Sequence, residues 1–190
     1  MNVQIHTREM VTCALFGAAT CVLAPISVPI PVSPVPITLS VFIILLSGAF
    51  LPPRSAFYSQ LIRIAAGLIG MPVFANYQAG PGFIIGPLGG YLIVSPVMAL
   101  LVSLAARPSA ARAKPPFLPM ASISAAMAAA VLLCYLVGTV WLSLVSDLPF
   151  IQAVWVGVIP FIPLDIVKIV MACVVYATIG KRVGTMLKYN

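Results

Sequence analysis

From Met120 to Val145 the chain carries no charged side chain. Coiled at about 1.5 Å per residue, a helix of that length exceeds the roughly 30 Å hydrocarbon core of a bilayer. A helix that is apolar on every face belongs either in the centre of a large soluble protein or in a membrane, and 190 residues do not make a large soluble protein. The whole chain fits the second case. Its residues are 62% hydrophobic and 7% charged, with a mean hydropathy of +1.17, whereas soluble domains are about one-quarter charged.

Eighteen prolines and 13 glycines break this apolar chain into segments. The pattern predicts an all-α integral membrane protein, a single domain over 1–190, with six transmembrane helices at about 10–24, 38–51, 55–70, 88–106, 120–145 and 159–179. The first segment is read as a retained helix, because signal-type cleavage after Ala24 would fall directly before Pro25. Six crossings put Arg8, Arg54, Arg107, Arg112, Lys114, Lys181, Arg182 and Lys188 on one side, while the opposite loops carry only Asp147. Basic loops stay cytoplasmic, so both termini are expected there, with structured loops outside. The net charge of +7 is accounted for in this way. The basic residues form no amphipathic stripe, and no nucleic-acid partner is implied.

Against this background two charges stand out. Asp165 and Lys168 lie three apart in the apolar run Phe161–Ala172, a spacing that places both on one face of a helix. Each costs about 2.5–3.5 kcal/mol in a bilayer by insertion scales, so the pair is a candidate functional site, or else a structural pair of self-neutralising charges. Arg63 is a third outlier, with snorkelling, carboxylate pairing and cavity lining all open to it. The uncharged loop 71–87 offers Phe74, Asn76, Tyr77 and Gly86, and leads into Gly89, Gly90 and Tyr91, a mixture of aromatic surface, amide groups and close-approach backbone suited to a neutral polar ligand. Five prolines between Pro25 and Pro36 predict stiff extended backbone near the same end. Trp141 and Trp155 read as interfacial anchors. Ala14 and Ala18 form a small-xxx-small face for another helix, within the chain or from a partner.

Several chemistries find no support. Cys13, Cys21, Cys134 and Cys173 fall singly in apolar runs and read as buried thiols, and His6 is the single histidine, so no metal site is expected. Cys173, two turns beyond Lys168, lacks the base a nucleophile needs. The chain has no Gly-x-x-x-x-Gly-Lys-Ser/Thr loop, so it is not expected to be an ATPase or to need a cofactor.

Taken in order, Pro34-Val-Pro-Ile-Thr38, Gly70-Met-Pro-Val-Phe74, Gly86-Pro-Leu-Gly-Gly-Tyr91 and Pro163-Leu-Asp-Ile-Val-Lys168 resemble the BioY family, the biotin-specific substrate-binding (S) component of energy-coupling-factor (ECF) transporters. The resemblance implies a multi-pass protein of a prokaryotic cytoplasmic membrane that binds biotin from outside, with Asp165, Lys168 and residues of 71–91 at the site. It further implies a coupling subunit docked at Ala14 and Ala18 together with ATPase subunits, or self-association if the protein acts alone. Asn76-Tyr77 and Leu88 depart from the usual family pattern, as does Arg63. The alternative from the residues themselves is a proton-coupled secondary transporter of another vitamin-like solute, using the same acid–base pair.

Overall fold

A computed structural model describes residues 7–31, 33–111 and 117–186. Its helices are α1 (Thr7–Leu23), α2 (Ser40–Phe50), α3 (Pro53–Leu68), α4 (Pro81–Ile85), α5 (Gly89–Ile93), α6 (Ser95–Ala111), α7 (Phe117–Val145), α8 (Phe150–Gly157) and α9 (Ile162–Met186), with strands β1 (Ser27–Ile30) and β2 (Ser33–Thr38) between α1 and α2. Helix α6 packs against α2, α3 and α7; α1 lies on α3, and α9 lies on α2 and α7. Leu45, Met98, Val102, Ile123 and Met127 fill the interior between them.

The outer faces are as apolar as the interior. Along α7, Leu132, Leu136, Val140 and Leu144 recur every four residues on the exposed side, and Ile166, Val170 and Val174 do the same on α9. Water would penalise such stripes, and lipid does not. Among the described residues three helical segments, Gly89–Ala106, Met120–Val145 and Ile162–Ile179, are long and apolar enough to cross a membrane, and Glu9–Leu23 and Ser40–Phe50 are shorter apolar helices. The chain is therefore a largely helical, multi-pass membrane protein, as expected. Of the basic residues expected on the cytoplasmic side, Arg112, Lys114 and Lys188 lie outside the described residues, as does His6.

Three segments differ from the sequence reading in ways that shape the site. The Pro-rich stretch is extended, as expected, and in addition paired: β1 and β2 form an antiparallel hairpin, with Ser27 opposite Thr38, Val28 opposite Ile37, and a bulge before Ile30. A two-stranded hairpin has only edge strands, which is where proline's missing N–H is tolerated. The fourth span is divided at Val94 into α5 and α6. Pro96 cannot donate to the carbonyl of Leu92 four residues back, and the Ser95 hydroxyl donates to it instead at 2.7 Å. The 71–87 loop is also ordered into a 3-10 turn at Ala75–Tyr77 and the helix α4. Gly70, at φ +101°, ends α3 with Met71 N–H bonded back to Ala66 O and its own N–H to Gly67 O, a cap that needs a residue at ease in the left-handed region.

Helices α2 and α6 approach closely at Gly48, where an added Cβ would lie 2.6 Å from Ala99 O and 2.7 Å from Val102 Cβ. Gly82 has nothing within 4 Å of the equivalent position. Gly48→Val is accordingly expected to destabilise the protein by about 1–3 kcal/mol and Gly82→Ala by less than about 0.5 kcal/mol. Thermal melting of the detergent-solubilised variants checks the contrast.

Candidate functional site

The hairpin, the 3-10 turn with α4, and α8 gather at one end of the bundle: β2 packs on α8, and both strands touch the 3-10 turn. Ser27 fastens two of these pieces together. Its hydroxyl donates to Asn76 Oδ1 at 2.6 Å and accepts from the Asn76 N–H at 2.9 Å. Beneath this cover lies a cavity of about 100 Å³, reached by side chains from the hairpin, α2, α3, α5, α6, α7 and α9. It is roomier than the 10–15 Å³ that one water needs, and large enough for a small organic molecule.

One wall carries the acid and the base. Asp165 sits in the first turn of α9, where the helix dipole favours a carboxylate, and Lys168 follows one turn later on the same face. Lys168 Nζ donates to Asp165 Oδ1 at 2.7 Å, and Tyr135 on α7 donates its hydroxyl to Oδ2 at 2.6 Å. The two charged residues are only 4% and 6% exposed. Of the three Lys168 N–H groups one is engaged in this contact, and the Asp165 oxygens keep lone pairs beyond the two bonds they accept. The pair is thus internally neutral, yet still holds donors and acceptors for a ligand.

The remaining walls are mainly apolar. Phe74 stacks on Phe83 with ring centroids 4.8 Å apart, and Gly67 leaves the space that the Phe74 ring occupies. Val41, Ile44 and Leu92 continue that surface. Tyr91 spans from α5 to α8, donating to Gly157 O at 3.2 Å. At the hairpin side Thr38 and Ser40 share a 2.5 Å hydroxyl contact. Arg63 reaches the cavity from α3, 4% exposed, with Nη2 donating to Ser95 Oγ at 3.0 Å and with no partner for Nε. One turn earlier, Gln60 joins Thr20, Ser47 and Ser59 in a buried polar seam linking α1, α2 and α3.

Of the residues singled out in the sequence, the structure brings Arg63, Phe74, Tyr91, Asp165 and Lys168 onto this one cavity. Thr38, Leu88 and Cys134 also line it, whereas Asn76, Tyr77, Gly86, Gly89 and Gly90 do not. Asn76 and Tyr77 lie in the left-handed region at φ 57° and 58° and face outward, Asn76 serving as the tie to Ser27. Gly86 accepts the Trp141 indole N–H at 2.9 Å, so Trp141 is a strut between α7 and the loop and not a simple interfacial anchor. Gly89 and Gly90 are buried against Ile84 and Trp141, where any Cβ would collide. Trp155 is exposed, as are Ala14 and Ala18; α1 meets α3 at Cys13, Gly17 and Thr20 instead. Tyr135, Phe83 and Ser40 join the cavity without being candidates in the sequence, and Thr38 enters there only as part of the Pro34–Thr38 motif. Tyr135 carried one signal, a phenol in the middle of a span that otherwise has little to hydrogen-bond.

A model of the BioY family matches residues 1–185. The probable biotin transporter BioY of Pyrococcus horikoshii is 38% identical over 171 residues, covering 90% of this chain and 95% of that protein. The biotin transporter BioY of Thermotoga maritima is 30% identical over 175 residues, covering 92% and 96%. Among solved structures, the S-component for biotin from an ECF-type ABC transporter matches with a TM-score of 0.83 and 25% identity over 95% of both chains.

The ion pair also sets a stability test. Lys168→Ala leaves Asp165 buried without its counter-charge, which is expected to cost about 3–5 kcal/mol, whereas the double change Asp165→Asn with Lys168→Met removes both charges and is expected to recover most of that loss. Melting temperatures of the two variants in detergent check the order.

Proposed function

The chain belongs to the BioY family, and on that premise we propose that it takes up biotin as a membrane-embedded S component, holding the vitamin in the cavity lined by Asp165 and Lys168. The observation that carries this reading is the neutral but unsaturated Asp165–Lys168–Tyr135 cluster lining the same cavity as the stacked Phe74–Phe83 pair. Biotin offers matching chemistry: a cyclic urea with two N–H donors and a carbonyl acceptor, fused to an apolar thioether ring. Asp165 accepts from a urea N–H, Lys168 donates to the urea carbonyl, and the Phe74–Phe83 face takes the ring. Burial lets each hydrogen bond discriminate strongly, because a ligand lacking the partner leaves a buried polar group unpaired. Proton-coupled transport of another solute is not favoured.

The membrane arrangement in this proposal has six crossings, made by α1, α2, α3, α5 with α6, α7 and α9, in one domain with both termini in the cytoplasm. The cavity then opens outward beneath the hairpin, the 3-10 turn and α8, and the exposed Ala14 and Ala18 are free to meet a coupling subunit that works with ATPase subunits. Reporter fusions placed after residue 112 and at the C-terminus are expected to read cytoplasmic, and one after Asp147 exterior. The reverse pattern removes the outward-facing site.

Direct binding tests the ligand. Calorimetry on the purified protein is expected to register biotin at a single site, with Asp165→Asn weakening it by at least about tenfold, the worth of one hydrogen bond to a charged group. Absence of biotin binding, together with cellular uptake that ignores Asp165→Asn, overturns the proposal.

A further inference from the structure

Charge around the cavity does not balance. Asp165 and Lys168 cancel, and Arg63 adds one positive charge for which, among the described residues, no carboxylate stands within ion-pair distance. A guanidinium stays protonated, so the excess is permanent. Its one hydrogen bond is to a neutral hydroxyl, Ser95 Oγ, and its buried Nε has no partner. An uncompensated charge with an unsatisfied donor, 4% exposed, is expensive unless something else completes it.

Placement says what that is. Arg63 enters from α3, whose main neighbours are α1 and α6, while the acid–base pair enters from α9, which packs on α2 and α7. The cavity therefore receives its polar groups from two different helices, an internally neutral pair from α9 and a cation from α3, and the apolar side chains of Phe74, Val41 and Ile44 line the same cavity. Resting on the biotin reading above, we propose that Arg63 is the carboxylate station of the site: it holds the free carboxylate of the ligand's side chain while the Asp165–Lys168 pair holds the neutral urea. The guanidinium fork suits a carboxylate, which satisfies several donors at once and brings the cavity's charge to zero. The site then selects the free acid over derivatives whose carboxylate has been capped.

The test compares biotin with biotinamide, its neutral carboxamide, by calorimetry on the intact purified protein. The wild-type protein is expected to prefer biotin by at least about tenfold, the discrimination one charge-assisted contact gives. Arg63→Gln is expected to weaken biotin by a similar factor and to leave biotinamide within about twofold, so that the preference disappears. Arg63→Lys, which keeps the charge but loses the fork, is expected to retain part of the preference, and it serves if the glutamine variant does not fold. Equal wild-type affinity for the two ligands overturns the inference while leaving the biotin reading intact. So does an Arg63→Gln loss that is equal for both ligands, which marks a structural role, or a preference abolished by Lys168→Gln and kept by Arg63→Gln. Failure of the wild-type protein to bind either ligand overturns the biotin reading itself.

Discussion

The site depends on a buried ion pair that is neutral without being exhausted. Inside a low-dielectric bundle a lone carboxylate or ammonium is too costly to keep, and a fully saturated pair has nothing left to offer. Asp165 and Lys168 avoid both extremes. Each compensates the other at 2.7 Å, Tyr135 occupies the second carboxylate oxygen, and the lysine keeps spare donors. Placing Asp165 in the first turn of α9 adds the favourable end of the helix dipole, which lowers the cost of holding a carboxylate there. Several elements must therefore stay in register: α9 for the pair, α7 for Tyr135, and α8, the hairpin and the 3-10 turn with α4 for the cover above.

That register is fixed by small residues and stiff turns. Gly48 lets α2 meet α6, Gly67 admits Phe74, and Gly90 admits Trp141, whose indole N–H then ties α7 to the loop at Gly86. The cover is held both by polar contacts, with Ser27 and Asn76 joining the hairpin to the 3-10 turn, and by the buried Val73 and Phe74, which pack with Leu92, Ile64 and Phe83. The loops above the cavity are thus tied to the helical bundle at Phe74 and at Gly86, and to each other through the Ser27–Asn76 contact.

Much of this was legible in the sequence because charge is rare in it. The apolar run Met120–Val145 fixed the class, and Asp165 and Lys168 were conspicuous because almost nothing else was charged. What stayed hidden had no such contrast. Tyr135, Thr38 and Ser40 look like ordinary members of their segments, and only the packing of α7 against α9 and the pairing of β1 with β2 turn their hydroxyls inward. The prolines between 25 and 36 announced extended backbone but not pairing, since strand partnership is a property of two segments at once. Gly89 and Gly90 were read for backbone approach to a ligand, and the same lack of a Cβ serves approach to Ile84 and Trp141 instead. Glycine marks closeness; it does not say to what.

Arg63 illustrates how a local backbone rule reaches the cavity. Pro96 has no N–H, which leaves the Leu92 carbonyl short of its helical donor. The Ser95 hydroxyl supplies that donor at 2.7 Å, and with its hydrogen so committed the oxygen can act only as an acceptor toward Arg63 Nη2 at 3.0 Å. A serine free to rotate would hold the guanidinium less firmly. The break between α5 and α6 is therefore more than a kink. It converts one missing hydrogen bond into an oriented acceptor, and that acceptor fixes where the only uncompensated positive charge among the described cavity side chains is presented.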